Sequence, residues 1–550
     1  MMPRTLRLVG LAAVLALANA CTDDETTAVT TTTGTGGEGG GGCPPDHIEQ
    51  DGECIPAQDD YPCEPGELSV DGTCLTAGVQ ANGCEAGQVD DGSGCRPAGL
   101  PPDRCASADD GGCVPLLPAD PCGAGQLALP GETTCRDVAP CGSGTWGDIL
   151  VEQNTQFVDA AYTGGNSDGT LAQPWTTVGQ AVAAADSDAI VAIAAGSYSG
   201  VVTLSKPVRL WGRCPSLVEL TATGGSVNNT IRVVSSGAGS EIRGLALTGS
   251  ARGLVIFEAT DVSARELWIH DCGLEGFDAW DGGELTLSDS LVEHTTGFGG
   301  FLYEGRVTVE RTVIRDVEPE AGSGWFGIGI LGQRADADGA ESSITVTDSL
   351  IERTHWAGIA ARGAEAVVTN TVVRDISSEG ESQGRAHGIE VVANDVTLES
   401  GALTLKSSVI EHTRMDGVVL HGADGLVEAT AIRHVQAADD TGVFGSGISA
   451  VHHNEVPVGA SVDVRGCVIT HTQEDGIAFF GGSGSVEGTL ITDVTPNGMD
   501  EAGFGIYARR YFEGGSVDVT SCRIERVHES GVYWTDVEGA MTATVVRDVV

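Results

Sequence analysis

Two Glu-His dipeptides lie at matching places in a repeated stretch of this sequence. Glu293–His294 belong to "LTLSDSLVEHT", and Glu411–His412 belong to "LTLKSSVIEHT". A carboxylate beside an imidazole is a residue pair that general acid–base catalysis uses. The stretch returns as "ITVTDSLIERT", in which Arg353 replaces the histidine. The dipeptides are therefore either a catalytic pair or a part of a repeating scaffold.

Small residues recur at regular intervals along the second half of the chain. Each follows two aliphatic residues at alternate positions, and the intervals alternate between 22 and 37 residues, with one of 33. Apolar alternation broken by glycine predicts strands, and a fixed period predicts stacked coils. The small positions, which we expect in one interior file, are Ser290, Thr312, Ser349, Thr371, Ser408, Thr430, Cys467, Thr489, Cys522 and Thr544.

Two columns of charge follow from stacking these coils. The first column is His270, Glu293, Arg315, Glu352, Arg374, Glu411, Arg433, Thr470, Thr492, Glu525 and Arg547. The second column is Asp271, His294, Asp316, Arg353, Asp375, His412, His434, His471, Asp493, Arg526 and Asp548. Charge alternates from coil to coil, and each cross-strand pair of opposite charges contributes about 0.2–1 kcal/mol. An active site occurs once, so the columns favour a scaffold role for the Glu-His pairs.

Every second coil is longer than its 22-residue neighbour, by 15 residues in three cases and by 11 in the last, and we expect each extra segment to leave the same corner. Coils stack about 4.8 Å apart, so equivalent long coils lie about 9.6 Å apart. Acidic residues in the extra segments could bind Ca²⁺ through oxygen ligands, although the absence of a D-x-D spacing or nonapeptide repeat favours solvated acidic loops. The calcium candidates are Glu379, Glu381, Asp439 and Asp440. The patterns require no cofactor.

One strand of the coil carries aromatic and basic residues in register. With about 9.6 Å between equivalent long coils, these side chains could contact successive units of a sugar polymer, by stacking on its rings and hydrogen bonding to its hydroxyl groups. The simpler interpretation is an exposed strand with mixed side chains. The carbohydrate-binding candidates are Tyr303, Trp356, Arg362, Asp416, His421, Asp475 and Phe480.

The composition excludes one class of partner. The 550-residue chain has a formal charge of −49, and Lys206 and Lys406 are its two lysines. Such an acidic surface repels phosphate backbones, which argues against nucleic-acid binding. Neutral polymers, including extracellular or envelope polysaccharide, are compatible with this charge.

The first 21 residues predict export. Two arginines precede a short apolar run that ends in "ANAC", and Cys21 resembles the lipidated cysteine of a bacterial lipobox. Residues 22–42 are rich in Thr and Gly and predict a flexible tether. We therefore expect an outer-membrane or cell-surface lipoprotein anchored through Cys21, with a secreted or periplasmic protein as the alternative.

Eleven of the 16 cysteines fall within residues 43–141, in short units with Gly-containing turns. In an exported protein this spacing predicts disulfide-stapled modules, here interpreted as a spacer or stalk. Five pairs fill residues 43–135, and the cysteine left over, Cys141, is expected to bridge to Cys214. Cys467 and Cys522 lie two coils apart, beyond the reach of a disulfide, and are expected to be buried free thiols.

The domain expected at residues 142–550 begins with a distinctive set of residues: Val158, Asp159, Gly169, Thr170, Pro174, Trp175, Thr177, Ala181, Val182, Gly196 and Tyr198. They give the chain, over about residues 155–550, a resemblance to the pectin-lyase-like family of right-handed parallel β-helices. It implies an all-β parallel β-helix with an N-terminal cap at about residues 155–215 that includes a short helix. The family holds both enzymes and non-catalytic proteins, so the resemblance does not fix an activity.

Motifs of the familiar pectinases are incomplete in this chain. "WIHD" at Trp268–Asp271 is similar to the W-I-D-H of pectate lyases with its last two letters inverted, and the G-H-G and R-I-K strings of galacturonan hydrolases are absent. The sequence therefore favours a non-catalytic scaffold or adhesin-like protein that contacts polysaccharide, with a polysaccharide lyase or glycoside hydrolase as the alternative. The chain ends in register with the repeat, so we expect a partner or a further segment to cover its last coil.

Overall fold

The structure is a computed structural model that describes residues 47–50, 53–56, 67–70 and 73–550, with side chains from residue 76 onward. Gaps in this description fall at 223–228, 321–323, 325, 335–340, 378–384, 395, 439–441, 454–457, 500 and 512–514. The export leader with Cys21, the 22–42 tether and the four calcium candidates lie outside the described residues. The chain divides into two compact units, Met1–Tyr61 and Pro62–Val550. In the first unit, His47–Gln50 pairs with Glu53–Pro56 as an antiparallel hairpin.

Most of the second unit is the predicted right-handed parallel β-helix. Its strands form three parallel sheets of 15, 14 and 13 strands, and each coil gives one strand to the first, second and third sheet in turn. The first sheet consists of Gln156–Val158, Ile190–Ile193, Arg209–Gly212, Glu241–Arg243, Val262–Arg265, Glu284–Ser288, Arg306–Glu310, Ser343–Thr347, Glu365–Thr369, Ala402–Lys406, Asp424–Glu428, Ser461–Arg465, Ser483–Glu487, Ser516–Thr520 and Glu538–Thr542.

The second sheet consists of Gly196–Ser199, Val218–Ala222, Ala246–Gly249, Trp268–Cys272, Leu291–Thr296, Val313–Glu318, Leu350–Thr354, Val372–Ile376, Val409–Thr413, Ala431–Val435, Val468–Gln473, Leu490–Thr495, Arg523–Val527 and Val545–Val549. The third sheet consists of Val202–Leu204, Asn229–Val234, Arg252–Phe257, Phe277–Trp280, Phe298–Tyr303, Ile328–Gln333, Ala357–Arg362, His387–Val392, Val418–His421, Ile448–Val451, Asp475–Phe480, Phe504–Arg509 and Ser530–Thr535.

The predicted short helix spans Val178–Ala184. Thr177 is its N-cap, and the Thr177 hydroxyl accepts a hydrogen bond from the Gln180 amide. Its apolar face buries Ala181 and joins the interior of the first coils, so it closes that end of the solenoid. A 3₁₀ turn spans Ser235–Gly237. Among the described residues, no helix has both the length and the apolar character needed to cross a bilayer.

The small positions form the predicted interior file. Those from Ser290 to Cys522 are fully buried. The Ser290 amide donates to the Thr312 hydroxyl at 3.3 Å, and the Thr312 amide donates to the Ser349 hydroxyl at 3.1 Å. Each hydroxyl in turn donates to a carbonyl two residues back, as Ser290 does to Ser288 at 2.7 Å. A small polar side chain therefore satisfies the backbone at each tight corner, which explains the 22- and 37-residue period.

Cys467 and Cys522 occupy this file as free thiols, as expected, and burial raises the pKa of each to about 12. Cys272 is a third buried free thiol. Protonated thiols in these positions act as small apolar side chains.

The extra residues of the long coils leave two corners, and the expectation of a single corner is wrong. One part of each extra segment precedes the third-sheet strand of its coil, and the other part follows that strand. The segments are 319–327 and 334–342, 377–386 and 393–401, 436–447 and 452–460, and 496–503 and 510–515. The repeat length gives the number of residues per coil but not their division between the two corners. In each long coil, extra residues therefore both precede and follow the third-sheet strand.

Residues 77–141, here called the strap, pack against the second sheet, so the spacer interpretation is wrong for them. Amides of Gly78, Gly87 and Gly99 donate to carbonyls of Ala543, Gly488 and Ala429, each at 2.8 Å, so the strap runs from the last coils toward the first. Its leucines share an apolar cluster with the outward aliphatic residues of the second sheet. The cluster includes Leu100, Leu127, Leu129, Leu291, Val313, Leu350, Val372 and Val409.

Short hairpins and disulfides hold the cysteine-rich region together. The hairpins pair Glu67–Val70 with Thr73–Thr76, Gln88–Asp90 with Cys95–Pro97, Cys105–Ser107 with Cys113–Pro115, and Gln126–Leu127 with Arg136–Asp137. Neighbouring cysteines pair as Cys84–Cys95, Cys105–Cys113 and Cys122–Cys135. The Cys141–Cys214 disulfide joins the strap to the first coils. Disulfides of this kind persist in proteins outside the reducing cytosol.

Candidate functional site

The Glu-His pair at Glu293–His294 lies on the second sheet, where the strap covers Glu293. The Glu293 carboxylate, 1% exposed, pairs with Arg315 at 2.5 Å. It also accepts hydrogen bonds from the Gly125 amide at 2.9 Å and from the Trp268 indole at 2.8 Å. These partners leave the carboxylate no free role as a base.

The same ion pair recurs along the first charge column, as the alternation predicts. Glu352 pairs with Arg374 at 2.6 Å, and Glu411 pairs with Arg433 at 2.5 Å. Most of these side chains are buried, which the sequence did not indicate, because the strap that covers part of this face is far away in the chain. The Glu-His pairs are therefore part of the scaffold.

The second charge column marks a sharp bend at the edge of the second sheet. Its residues have left-handed backbone conformations, such as Asp316 at φ +54° and Arg353 at φ +52°. Asp316 pairs with Arg353 at 2.6 Å. Glu293, His294 and Asp316 offer ligand atoms within 4.8 Å of one another, a grouping of three found nowhere else among the described residues. The engaged carboxylate of Glu293 makes this grouping a poor metal site.

The outer face of the third sheet gathers the carbohydrate-binding candidates. Strand pairing places Tyr303, Arg362 and His421 in one outward file. Asp416 and Asp475 occupy a second shared position, two coils and thus about 9.6 Å apart. Phe480 follows on the strand of Asp475. These side chains therefore share the outer face of the third sheet.

Glu390 lies on the same face of the third sheet, where two side chains bind its carboxylate. It is 2% exposed, and it binds Arg385 at 3.1 Å and the Trp356 indole at 3.3 Å. Burial by itself raises the pKa of this carboxyl. Arg385 and His387, aided by Arg362 and His421, outweigh that effect and lower the pKa to about 2. Glu390 is therefore ionised at any ordinary pH.

Asp416 lies one coil further, and its pKa is shifted in the opposite direction from that of Glu390. It is 3% exposed, and burial raises its pKa to about 7, although the Ser446 amide donates to it at 3.1 Å. His387 Nδ1 lies 3.8 Å from the second carboxylate oxygen of Asp416. Burial lowers the pKa of His387 to about 4, so the imidazole is neutral near pH 7. One neutral histidine thus interacts with both the ionised Glu390 and Asp416, which is about half protonated at pH 7.

Two further acids adjoin Asp416. Burial raises the pKa of Glu474 to about 7, with Asp416 adding to the effect. The Glu474 carboxylate accepts from the Phe444 amide, and its backbone φ of +102° is strained. Asp475 is 2% exposed and accepts from the Phe504 amide at 3.4 Å, and burial and Glu474 raise its pKa well above the ordinary value. This face therefore holds three neighbouring acids whose pKa values are raised well above the ordinary range.

Several groups in this cluster were missed from the sequence, and one candidate has another role. Trp356 is 2% exposed, and its indole holds Glu390 and underlies Arg385 rather than offering a face to a sugar. The missed groups include Glu390, Arg385, His387 and Glu474. The signal for Glu390 was present, because it is the single carboxylate in the otherwise apolar end of "HGIEVV".

No family model matches the chain, and no curated protein matches it. The A-module of the Azotobacter vinelandii mannuronan C-5 epimerase AlgE6 is a similar solved structure, with 14% identity over 66% of this chain and 91% of that one at a TM-score of 0.40.

Two further solved structures have the same likeness. The GH87 α-1,3-glucanase catalytic domain gives 12% identity over 74% of this chain and 70% of that one, with a TM-score of 0.38. Pectate lyase Pel9A gives 10% identity over 71% and 79%, with a TM-score of 0.35. By their names these neighbours are an epimerase, a glucanase and a pectate lyase, and the likeness assigns none of these activities to this chain.

Proposed function

We propose that the protein is a carbohydrate-active enzyme that hydrolyses glycosidic bonds of a polysaccharide on the outer face of the third sheet. The feature that carries the proposal is a pair of buried carboxyl groups on neighbouring coils, Glu390 beside Arg385 with a pKa of about 2 and Asp416 beside His387 with a pKa of about 7. Glycoside hydrolysis uses such a pair, with one acid and one carboxylate.

In this proposal Asp416 donates its proton to the glycosidic oxygen as the bond to the sugar carbon breaks. Glu390 accepts a proton from the attacking water, or stabilises the positive charge that develops on the ring. Arg385 and Trp356 keep Glu390 oriented, and His387 separates the two acids without adding charge. This arrangement favours the enzymatic alternative over the non-catalytic scaffold.

The experiment is a panel of neutral and uronic polysaccharides incubated with the full chain and assayed for new reducing ends and for unsaturated ends. We expect reducing ends without unsaturation, lost by at least 100-fold in Asp416→Asn and in Glu390→Gln. The matched control is Asp424→Asn, an exposed acid on the first sheet, which retains activity. Unsaturated products would indicate a lyase, and binding without turnover would indicate a scaffold.

The cell surface is the proposed place of action. The four described disulfides belong to an exported protein. A lipid on Cys21 and the tether of residues 22–42 would hold the enzyme close to extracellular or envelope polysaccharide. Mass spectrometry of the mature protein tests this, since Cys21→Ser should remove both the lipid mass and membrane association.

A further inference from the structure

Phe444 is an exposed aromatic residue in a strained backbone conformation, just before the third-sheet strand Ile448–Val451. Its φ is +68°, in the left-handed region that bulky side chains rarely adopt, and 38% of the residue is exposed. Glycine would occupy this conformation without steric cost. Because the ring neither fills the core nor favours the turn, the strain points to a function of the ring itself.

The backbone around Phe444 is bound to two of the buried acids. Its own amide donates to the Glu474 carboxylate, and the amides of Gly445 and Ser446 donate to Asp416. The bond from the Ser446 amide to Asp416 is 3.1 Å long. Three consecutive amides therefore hold Phe444 directly beside the proposed catalytic acid.

The corresponding corners of two other long coils have the same turn but different partners. Phe326–Gly327 and Ala502–Gly503 both have positive φ angles, as Phe444 and the glycine after it do. At these two corners the glycine amide donates to a backbone carbonyl, at 2.9 and 2.6 Å, rather than to a carboxyl group. The Phe326 ring packs against Phe298, with 4.8 Å between the ring centroids. The Phe444 corner thus combines an exposed ring with amides that bind a carboxyl group.

An exposed aromatic ring beside carboxyl groups is a combination that suits a neutral sugar. The C–H groups on one face of a pyranose ring pack on an aromatic face, which carries partial negative charge. A uronic acid would bring its carboxylate toward the ionised Glu390 and the three acids around Asp416, and like charges repel. Arg385 does not offset this repulsion, because its guanidinium is already paired with Glu390 at 3.1 Å.

We propose that Phe444 stacks on a pyranose ring next to the bond that Asp416 protonates, and that the substrate is a neutral polysaccharide. The inference rests on the proposed function, since it names the class of sugar that binds at the same site. Phe444 binds and orients the sugar, whereas Asp416 and Glu390 carry the chemistry. Loss of the ring should therefore weaken sugar affinity.

The test is isothermal titration of the full chain carrying Asp416→Asn, so that sugar binds without turnover. The probes are soluble oligosaccharides of glucan, mannan and xylan, and oligogalacturonate. We expect a neutral oligosaccharide to bind, about 10-fold more weakly when Phe444→Ala is added and with little change for Phe444→Tyr. The matched control is Leu398→Ala, which should leave affinity unchanged. Leu398 is also exposed and left-handed, at 57% and φ +60°, but it lies in a segment that follows its third-sheet strand.

Phe444→Gly distinguishes a binding role from a structural one. Glycine adopts φ +68° without strain, so its unfolding midpoint should stay close to that of the natural chain while affinity falls as in Phe444→Ala. A clearly lower midpoint would assign Phe444 a structural role and overturn the proposal. Unchanged affinity in Phe444→Ala, a loss in Leu398→Ala, or tighter binding of oligogalacturonate than of every neutral probe would also overturn it.

The proposed hydrolysis is judged separately, by new reducing ends in the chain with natural Asp416. Neutral oligosaccharides that bind through Phe444 without being hydrolysed by that chain would overturn the hydrolysis alone. Hydrolysis together with unchanged affinity in Phe444→Ala would overturn the stacking alone.

Discussion

Arg315 lies one coil beyond Glu293, and their side chains form an ion pair of 2.5 Å in which both are almost fully buried. The strap amide of Gly125 completes the coordination of the same carboxylate. The sequence alone would allow an exposed ion pair here. In the structure the pair is buried and forms part of the contact between the strap and the second sheet. Breaking such a buried pair costs much more than breaking an exposed one.

Removal of one partner from the ladder should destabilise the solenoid. Arg433→Met leaves Glu411 buried without its 2.5 Å partner, and we expect a loss of about 3 kcal/mol in the free energy of unfolding. The double variant Glu411→Leu/Arg433→Met should recover most of that loss, because two apolar side chains leave no buried charge. Urea unfolding measures both, and strictly additive losses would contradict the pairing.

The strap should contribute to the stability of the β-helix itself. Leu127 is fully buried in the cluster between the strap and the second sheet, so Leu127→Ala should cost about 2–5 kcal/mol. Val114→Ala is the control in the same strap, since Val114 is 40% exposed and should change stability little. If Leu127→Ala left the unfolding midpoint of the β-helix unchanged, the strap would be an independent module.

Glycine at the entrance to the third-sheet strands, from Arg252–Phe257 onward, permits close approach between coils. A Cβ atom on Gly417 would lie 2.7 Å from the Gly447 carbonyl oxygen and 2.6 Å from the Ile432 side chain. Gly417→Ala should therefore lower the unfolding midpoint clearly. Gly179→Ala should raise it, by about 0.5–1 kcal/mol of stability, because Gly179 lies in the helix with open space around it.

Asp416 should make stability depend on pH. Its pKa is raised from 3.8 to about 7 in the folded chain, so the stability contribution of its bound proton is lost as pH rises through about 4 to 7. At 1.36 kcal/mol per pKa unit the cost at pH 8 is of order 4 kcal/mol. Asp416→Asn should then be more stable than the natural chain at pH 8 but not at pH 5. An equal difference in urea midpoint at both pH values would contradict the raised pKa.

Activity should depend on the protonation of the same group. Because the protonated form of Asp416 is the proposed acid, kcat/KM should fall as pH rises through about 7. A pH–rate profile on the polysaccharide found in the panel measures this. A profile that rises through the same range would assign Asp416 the role of a base.

The interior of the solenoid was predictable from the sequence because its geometry repeats. Ser290 and Ser349 must satisfy the same corner on equivalent coils, so the same residue type returns at a fixed interval. The pairing of Glu352 with Arg374 followed from the same register. Local repetition carries this information without reference to distant parts of the chain.

Contacts between distant segments were not predictable in this way. The strap buries Glu293 through Gly125, 168 residues away, and no periodicity connects the two. The division of the extra segments between two corners was also hidden, because the repeat length is the same for either arrangement. Glu390 depends on Arg385 and Trp356 for its charge, and only the fold brings these three together.

A crystal structure of Asp416→Asn with a bound oligosaccharide, taken from the polysaccharide that the natural chain degrades, tests the central proposal most directly. The account predicts sugar rings along the outer face of the third sheet, with the glycosidic bond between residue 416 and Glu390. An oligosaccharide bound against the second sheet or the strap, with the third-sheet face empty, would contradict it.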